Sequence, residues 1–340
     1  MSAEPMRVLI TGATGFIGGT LTRALLSRGF RVRITGQERD PALEALGAQW
    51  CELPDLSGPV DWRPALAGVD GVVHLAGIAH RFESDAQGLW ELYDQVNHQA
   101  TRQLVEAIRE GGQVGRFLFT STVRVHGDPK AMPVRADFPL VGATPYDKSK
   151  LDAEAAIRRC LAGTATAWAI LRPVLVYGPG NRGNMAKLEG LIRRSLPVPV
   201  GFRPNRRSFL FVGNLVDAMV TYLAASEPPS GRTWIVSDGP PASTAELVQG
   251  MAQAMARTPR VLRLPGWFLV GLARLGDFAS ALGLPCPWNT ETRIKLLGDF
   301  FVDADPIQAD LSWTPPYTMA EGLRQTYQPA ISPMVIGTTP

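Results

Sequence analysis

The stretch Val8-Leu9-Ile10-Thr11-Gly12-Ala13-Thr14-Gly15-Phe16-Ile17-Gly18 decides the fold of this chain. Three apolar residues lead into glycines spaced three apart, and a helical pattern of leucines follows. Gly12 lets the chain turn sharply, Gly15 lets a pyrophosphate approach the N-terminus of the helix, and Gly18 permits close packing of helix on strand. The spacing departs from the common G-x-G-x-x-G pattern, and an ordinary glycine-rich turn is the alternative. The strand before and the helix after favour a dinucleotide site.

A second motif, Tyr146-Asp147-Lys148-Ser149-Lys150, stands far downstream, after the pair Ser121-Thr122 that ends an apolar run. At positions i and i+4, Tyr146 and Lys150 share one face of a helix. A nearby ammonium favours the phenolate, so Lys150 is expected to lower the pKa of Tyr146. Many helices carry this pair on a solvated face. The order of the motifs instead favours proton transfer coupled to hydride transfer.

Further segments extend this pattern over nearly the whole chain. They read H-L-A-G at 74–77, V-N-H-Q-A-T at 96–101, T-S-T-V-R-V-H-G at 120–127, L-R-P-V-L-V-Y-G-P-G at 171–180, R-R-S-F-L-F-V-G-N-L-V-D-A at 206–218 and L-S-W-T-P at 311–315. With the two motifs above, the set resembles the extended short-chain dehydrogenase/reductases, the NAD(P)-dependent epimerase/dehydratase family. The subgroup it resembles contains UDP-glucose 4-epimerase-like enzymes of bacterial polysaccharide and O-antigen pathways.

The resemblance implies three catalytic residues, Thr122, Tyr146 and Lys150. Tyr146 would be the general acid in reduction, and Lys150 would also hold the nicotinamide ribose. Thr122 matches the residue that hydrogen-bonds the substrate oxygen, with Ser121 as the less suitable neighbour. Asn97 resembles the residue on the helix behind the site; a buried amide that bridges helix and strand is the alternative.

The resemblance also implies a set of cofactor contacts. They are Gly12, Thr14, Gly15, Phe16, Ile17, Gly18, Arg39, Asp55, Leu56, Leu75, Ala76, Gly77, Tyr146, Lys150, Pro173 and Val176. The second strand ends without the carboxylate that would bond a ribose 2′-hydroxyl. Arg39, and with it Arg33, could reach a 2′-phosphate, whereas Glu38 argues against one. NADP(H) is therefore favoured, and NAD(H) is the alternative.

The substrate implied by the resemblance is a UDP-sugar. Arg207 would hold its diphosphate, because a guanidinium bonds phosphate bidentately. Asn184, His126 and Thr122 complete the expected substrate contacts, although His126 also fits a loop histidine with structural partners. His74 and His80 are interpreted as structural. Arg206 either binds the diphosphate together with Arg207 or faces water. No metal site is expected.

Two functions remain open. One is reduction of a UDP-4-keto-6-deoxy-N-acetylhexosamine; the other is 4-epimerisation of UDP-glucose or UDP-N-acetylglucosamine with tightly bound NAD. His126 stands where 4-epimerases usually carry tyrosine, which favours the reductase. A 4,6-dehydratase is disfavoured because Val123 and Arg124 follow Thr122, with no carboxylate. A cofactor-sensing protein without activity would have no use for Tyr146 and Lys150.

Composition fits a soluble enzyme. The chain has 340 residues and a formal net charge of +3, so no nucleic-acid partner is implied. Its cysteines, Cys51, Cys160 and Cys286, show no pairing or metal-binding spacing, which fits a reduced cytoplasmic compartment. The first strand begins too early to leave room for a signal peptide. A homodimer is expected.

Alternating strands and helices predict an α/β fold, a Rossmann-type doubly wound parallel sheet, with a smaller, mixed C-terminal substrate domain. The predicted strands are 7–11, 31–35, 48–52, 71–75, 116–120, 167–172 and 233–236, and the predicted helices are 15–28, 42–46, 61–66, 89–111, 145–161 and 184–195. The dinucleotide-binding domain is expected at 1–180, with a return of about 206–236. The substrate domain is expected mainly at 181–328, followed by a tail at 329–340.

Residues 267–284 are rich in apolar side chains, interrupted by Arg274 and Asp277. The stretch is barely long enough to span a bilayer, so no transmembrane segment is expected. A packed helix pair in the smaller domain is the favoured interpretation. Contact of an in-plane helix with a membrane surface is the alternative.

Overall fold

A computed structural model describes residues 4–79, 86–181, 184–284, 286 and 288–328. Its centre is a seven-stranded parallel sheet with the order β10-β6-β5-β4-β1-β2-β3. The strands of this sheet are β1 (Arg7–Thr11), β2 (Arg31–Thr35), β3 (Gln49–Trp50), β4 (Gly71–His74), β5 (Arg116–Thr120), β6 (Ala167–Pro173) and β10 (Arg232–Val236). All seven predicted strands are present, within a few residues of their expected bounds. The doubly wound α/β fold is confirmed.

Four further strands form two small parallel sheets. They are β7 (Leu175–Tyr177) paired with β9 (Phe209–Phe211), and β8 (Val198–Gly201) paired with β11 (Val261–Leu264). The first of these sheets brings the chain after residue 206 back against the end of β6.

Helices pack on the large sheet and around the two small sheets. They are α1 (Phe16–Ser27), α2 (Pro41–Ala45), α3 (Arg63–Leu66), α4 (Ala86–Tyr93), α5 (Ala100–Gly111), α6 (Pro145–Leu161), α7 (Asn184–Arg193), α8 (Val212–Ala224), α9 (Thr244–Ala254), α10 (Gly266–Ala281), α11 (Thr290–Leu297), α12 (Asp305–Leu311) and α13 (Met319–Tyr327). Local chemistry fixes their ends: the Thr144 side chain accepts from the Asp147 N–H at the start of α6, and Gly112 ends α5 in a left-handed conformation.

The predicted helix at 89–111 is divided. Between α4 and α5 lies a π-helical segment, Asp94–Gln99. The apolar periodicity runs through all three parts, so the sequence pattern does not reveal the wider turn. Such insertions occur often at functional sites, and this one carries Asn97.

Successive side chains of a strand point to opposite faces of the sheet, so the core forms two layers, one on each face. On β1, Leu9 faces one layer, whereas Val8 and Ile10 face the other; all three are fully buried. Phe117 and Leu118 divide in the same way on β5. Burial on both faces explains the near-continuous apolar runs in the sequence. Because both faces of the sheet are covered, ligands bind at the ends of the strands and not on the faces.

Candidate active site

The turn after β1 packs directly on the chain that leaves β4. Gly12 has φ of 69°, and a Cβ added there would lie 2.8 Å from the backbone N and Cα of Ala76. A side chain is therefore excluded both by conformation and by space. This contact brings the glycine turn beside Leu75, Ala76 and Gly77 at one edge of the sheet.

The N-terminus of α1 fits an anion. Gly15 caps the helix without a side-chain hydrogen bond, and the first turn holds no acidic residue. Its N–H donates to Gly12 O at 3.1 Å, and a Cβ at Gly18 would lie 2.3 Å from that same oxygen. The remaining N–H groups and the helix dipole are thus available to a pyrophosphate, as dinucleotide binding requires.

A buried hydrogen-bond chain holds the strand ends in place. Thr11 Oγ1 lies 2.7 Å from His74 Nδ1, His74 Nε2 lies 2.9 Å from Thr101 Oγ1, and Thr101 Oγ1 donates to Asn97 O at 2.6 Å. Because Thr101 gives its proton to Asn97, His74 donates from Nε2 and accepts at Nδ1. Burial lowers the pKa of His74 to about 3, so the ring is neutral. His74 is structural, as predicted; His80 lies outside the described residues.

Asn97 joins the strand end after β4 to α6. Its side chain accepts from Ile78 N at 2.8 Å and donates to Ile78 O at 3.0 Å and to Ser149 Oγ at 3.0 Å. A Cβ at Gly77 would lie 2.8 Å from Asn97 Oδ1 and 3.3 Å from Lys150 Nζ. These bonds fit the alternative interpretation of Asn97, a buried amide that bridges helix and strand. They also keep Gly77 close to Lys150, one of the expected catalytic residues.

Lys150 is buried beneath the site. Its Nζ donates to Thr120 O at 3.2 Å and lies 4.8 Å from the centre of the Phe119 ring. Burial lowers its pKa to about 8, opposed by the carboxylate of Glu154. The amine is therefore mostly charged at neutral pH, yet closer to its titration point than a surface lysine.

Tyr146 differs from the expectation. Burial raises the pKa of its phenol to about 12, and the nearby Asp147 carboxylate adds to the rise. Arg124 and a hydrogen bond from the Thr122 side chain act in the opposite direction. Lys150 was expected to lower this pKa, but here burial is the largest influence. The phenol of the chain alone is neutral and holds a proton that it can donate.

Arg124 is a site residue that sequence reasoning missed. It stands two residues after Thr122, whose Oγ1 accepts from the Arg124 N–H at 3.3 Å. Its guanidinium donates to both oxygens of the fully buried Asp147, at 3.0 and 3.2 Å. This pair fixes the short 3₁₀ segment Val123–His126 to the start of α6. Thr122 and Tyr146 are thereby held together.

His126 is buried among protein groups, which favours the alternative of a loop histidine with structural partners over the expected substrate contact. It is 1% exposed, with Nε2 accepting from Arg172 Nη1 at 3.1 Å and Nδ1 lying 3.3 Å from Pro139 O. Burial, with the Arg172 charge, lowers its pKa. Arg172 pairs with both oxygens of Glu154, at 2.9 and 2.6 Å, and Ser121 Oγ donates to Glu154 at 2.6 Å. Ser121 and His126 therefore belong to a buried structural network.

The residues after position 180 that were expected to contact the substrate differ in how far they are exposed. Arg207 is partly buried; its Nη1 donates to Gly298 O at 2.8 Å, and burial lowers its pKa. No carboxylate within the described ranges lies at ion-pair distance from it. Arg206 lies on the exposed surface, 4.0 Å from the centre of the Phe301 ring. Asn184 begins α7, and its side chain lies outside the described residues.

The end of β2 offers little free positive charge. Arg39 donates from Nε and Nη2 to Glu44 at 3.1 and 2.6 Å. Arg33 is 9% exposed and donates to the carbonyls of Ala65 and Ala67 at 2.9 and 2.8 Å, so it is structural. In the loop after β3, Asp55 accepts from Ser57 and Leu56 is partly buried.

One cluster of three side chains of the kinds that bind metal ions is present among the described residues. The side chains of Asp94, His98 and Asp152 place ligand atoms within 4.8 Å of one another. His98 Nδ1 and Asp94 Oδ1 lie 2.7 Å apart, which is a hydrogen-bonding distance. The spacing of these residues along the chain does not predict the group, because Asp152 lies on α6, far from Asp94 and His98 in sequence.

The fold and the strand-end site are those of a dinucleotide-dependent enzyme. The family model of the NAD dependent epimerase/dehydratase family matches residues 8–237. The chain belongs to this family and is an enzyme of the extended short-chain dehydrogenase/reductase type.

Individual relatives differ in what they act on. The chain is 29% identical over 327 residues to a UDP-glucose 4-epimerase of Vibrio cholerae, covering 95% of each chain. It is 27% identical over 341 residues to a 2-alkyl-3-oxoalkanoate reductase of Stenotrophomonas maltophilia, covering 94% of this chain and 98% of the relative. Among solved structures, MoeE5 in complex with UDP-glucuronic acid and NAD is 26% identical with a TM-score of 0.71, covering 95% and 98%.

Proposed function

We propose that this enzyme is an NAD-dependent 4-epimerase of a UDP-sugar. The observation that carries the choice of cofactor is the end of β2. A 2′-phosphate there would compete with the carboxylate of Glu44 for Arg39, and the charge of Glu52 also acts on that arginine. Arg33, the other expected phosphate ligand, is buried on backbone carbonyls. The NADP(H) preference favoured by the sequence thus has little support, and NAD is the better fit.

The residues around the strand ends have roles that suit reversible oxidation of a sugar hydroxyl. NAD, when bound, supplies the acceptor for a hydride from the carbon that carries this hydroxyl. Thr122 would hydrogen-bond the oxygen, and Tyr146 would exchange its proton. Lys150 lies beneath Gly77, where its charge would favour the phenolate whenever Tyr146 must act as a base. Returning the hydride to the other face of the ketone would invert the carbon.

The epimerase is preferred to the reductase because the main argument for the reductase is weakened. That argument was the departure at His126, and the buried side chain of His126 accepts a hydrogen bond from Arg172. Reduction of a UDP-4-keto-6-deoxy-N-acetylhexosamine is the second candidate, because the run at 205–218 resembles a set of UDP-glucose 4-epimerase-like enzymes that includes such reductases.

The experiment has two parts. Purified protein is denatured and the released cofactor identified by mass; NAD, rather than NADPH, is expected. UDP-glucose and UDP-N-acetylglucosamine are then incubated with the enzyme, and their 4-epimers are measured by NMR without added cofactor. Consumption of NADPH in proportion to a 4-keto-sugar would instead establish the reductase.

Tyr146→Phe tests the proposed chemistry. It should lower turnover by on the order of a hundredfold or more while leaving NAD bound, because one proton-transfer group contributes about that much. Tyr222→Phe is the matched control, since the Tyr222 hydroxyl is buried without a hydrogen-bond partner in the described part of the chain. Normal turnover in Tyr146→Phe would remove this tyrosine from the mechanism.

A further inference from the structure

Helix α10 carries its large side chains on the outside. The residues it buries are Leu269, Ala273 and Gly276, two of them small. A Cβ at Gly276 would lie 1.7 Å from Trp288 O, so this face sits against backbone. The exposed large residues of the helix are Trp267 (77%), Phe268 (43%), Leu272 (37%), Leu275 (64%) and Phe278 (63%). A helix of a soluble protein normally has the reverse arrangement.

These exposed residues form one continuous face. At 100° per residue, positions 267, 268, 271, 272, 275, 278 and 279 fall within an arc of about 140° that contains no charged side chain. Arg274 lies at its edge. Asp277 lies on the opposite side, where it accepts from Thr290 of α11. We call this arc the apolar face of α10.

The face is large. With about 200 Å² for a fully exposed aromatic side chain, its three aromatic residues alone expose roughly 370 Å². That is already comparable with the largest patch on a typical monomer, before any leucine is counted. Leu282 and Leu284, beyond the C-terminus of the helix, are also 63% and 60% exposed and extend it.

The small sheet of β8 and β11, which contacts α10 through β8, lies in a part of the chain that is rich in arginine. Residues 190–216 and 247–276 contain no aspartate or glutamate, and the pairing of β8 with β11 brings these two stretches together. Exposed arginines without an ion-pair partner in the described ranges are Arg194, Arg203, Arg257, Arg260, Arg263 and Arg274. A surface of this kind is complementary to anionic headgroups next to hydrocarbon.

We propose that the apolar face of α10 docks in the plane of an anionic lipid membrane. The aromatic and leucine side chains would enter the boundary between headgroups and acyl chains, and the arginines would contact lipid phosphates. A second copy of this chain is a poorer occupant, because symmetric pairing would bring two sets of six arginines together. None of the helices in the described ranges is long and apolar enough to cross a membrane, so docking is peripheral.

Vesicle flotation tests the proposal with the full chain. Vesicles of phosphatidylglycerol and phosphatidylcholine in equal parts should carry the protein upward, and vesicles of phosphatidylcholine alone should carry much less. The double variant Leu275→Ser with Phe278→Ser should lose binding by about thirtyfold or more, since each side chain would otherwise leave water. Leu46→Ser, at a residue 55% exposed beside α2, is the control and should bind normally.

A second pair of variants tests the charge. Arg263→Gln with Arg274→Gln should weaken binding to the anionic vesicles by about tenfold or more and reduce its salt dependence. Arg23→Gln, an exposed arginine of α1, is the matched control. Equal flotation of the Leu275/Phe278 double variant and the unmodified protein would overturn the proposal. So would a dimer, seen by light scattering, that dissociates in that variant and does not bind vesicles.

Discussion

Two helices of similar apolar character, α1 and α10, use their large residues in opposite ways. On α1, Leu21 and Leu25 are fully buried against the sheet, and the glycine at the start admits a close approach of backbone. On α10, glycine and alanine face the protein, and Leu275 is 64% exposed. An apolar periodicity therefore shows that a helix has an apolar face, but not what covers that face.

The difference extends to charge. In the sheet region, the buried ion pair of Arg172 with Glu154 has further hydrogen-bond partners, among them Ala136 O and the Ser121 hydroxyl. Around β8 and β11, the exposed Arg203, Arg260 and Arg263 have no carboxylate at ion-pair distance in the part of the chain that the structure describes. The first arrangement fixes one conformation of the site, whereas the second leaves a surface suited to an external anionic partner.

The largest effect on stability is expected from the buried pair. Glu154→Ala leaves the Arg172 guanidinium, 1% exposed, without its counter-charge, and should lower the free energy of unfolding by about 3–5 kcal/mol. Chemical denaturation measures this loss. Glu189→Ala, which breaks the exposed pair with Arg193, should cost at most about 1 kcal/mol.

The same pair predicts a pH dependence. Burial acts to raise the pKa of Glu154, but the hydrogen bonds and charges of Arg172, with Ser121 and Arg158, together hold it below its usual value of 4.5. The stabilisation is therefore complete above that value and is lost as the pH falls through the lower pKa of the folded state. The difference in stability between the unmodified protein and Glu154→Ala should narrow on acidification; a constant difference would show that this carboxylate is not ionised in the fold.

A matched pair of truncations tests the contrast between the two helices directly. Leu25→Ala on α1 should lower the free energy of unfolding by about 2–5 kcal/mol, because it opens a cavity in the core. Leu275→Ala on α10 should change it by no more than about 0.5 kcal/mol in the absence of vesicles. A large loss in Leu275→Ala would mean that part of the protein, or a second copy, covers this face in solution.

The sheet was predictable because burial on both faces leaves long apolar runs between glycine turns. The catalytic set, Thr122, Tyr146 and Lys150, follows from the order of motifs along the chain and from the family resemblance, and it stays a prediction. The roles of His126 and Arg33 were not predictable, because each depends on partners from distant segments, such as Arg172 and Ala65. The raised pKa of Tyr146 likewise follows from burial, which the i, i+4 spacing does not report.

The last prediction concerns ligand binding rather than stability, at a residue that lies between the two regions. Arg207 packs on the end of α11, the helix that packs against α10, and is proposed to hold the substrate diphosphate. Arg207→Ala should weaken UDP binding by about tenfold, or 1.4 kcal/mol, and leave NAD affinity unchanged, since charge-assisted hydrogen bonds of this strength would be lost. Arg206→Ala is the neighbouring control, because that side chain lies on Phe301 at the surface. Calorimetry with UDP and with NAD separates the outcomes. Unaltered UDP binding in Arg207→Ala would place the diphosphate elsewhere, whereas equal losses in both variants would indicate that the two arginines share it.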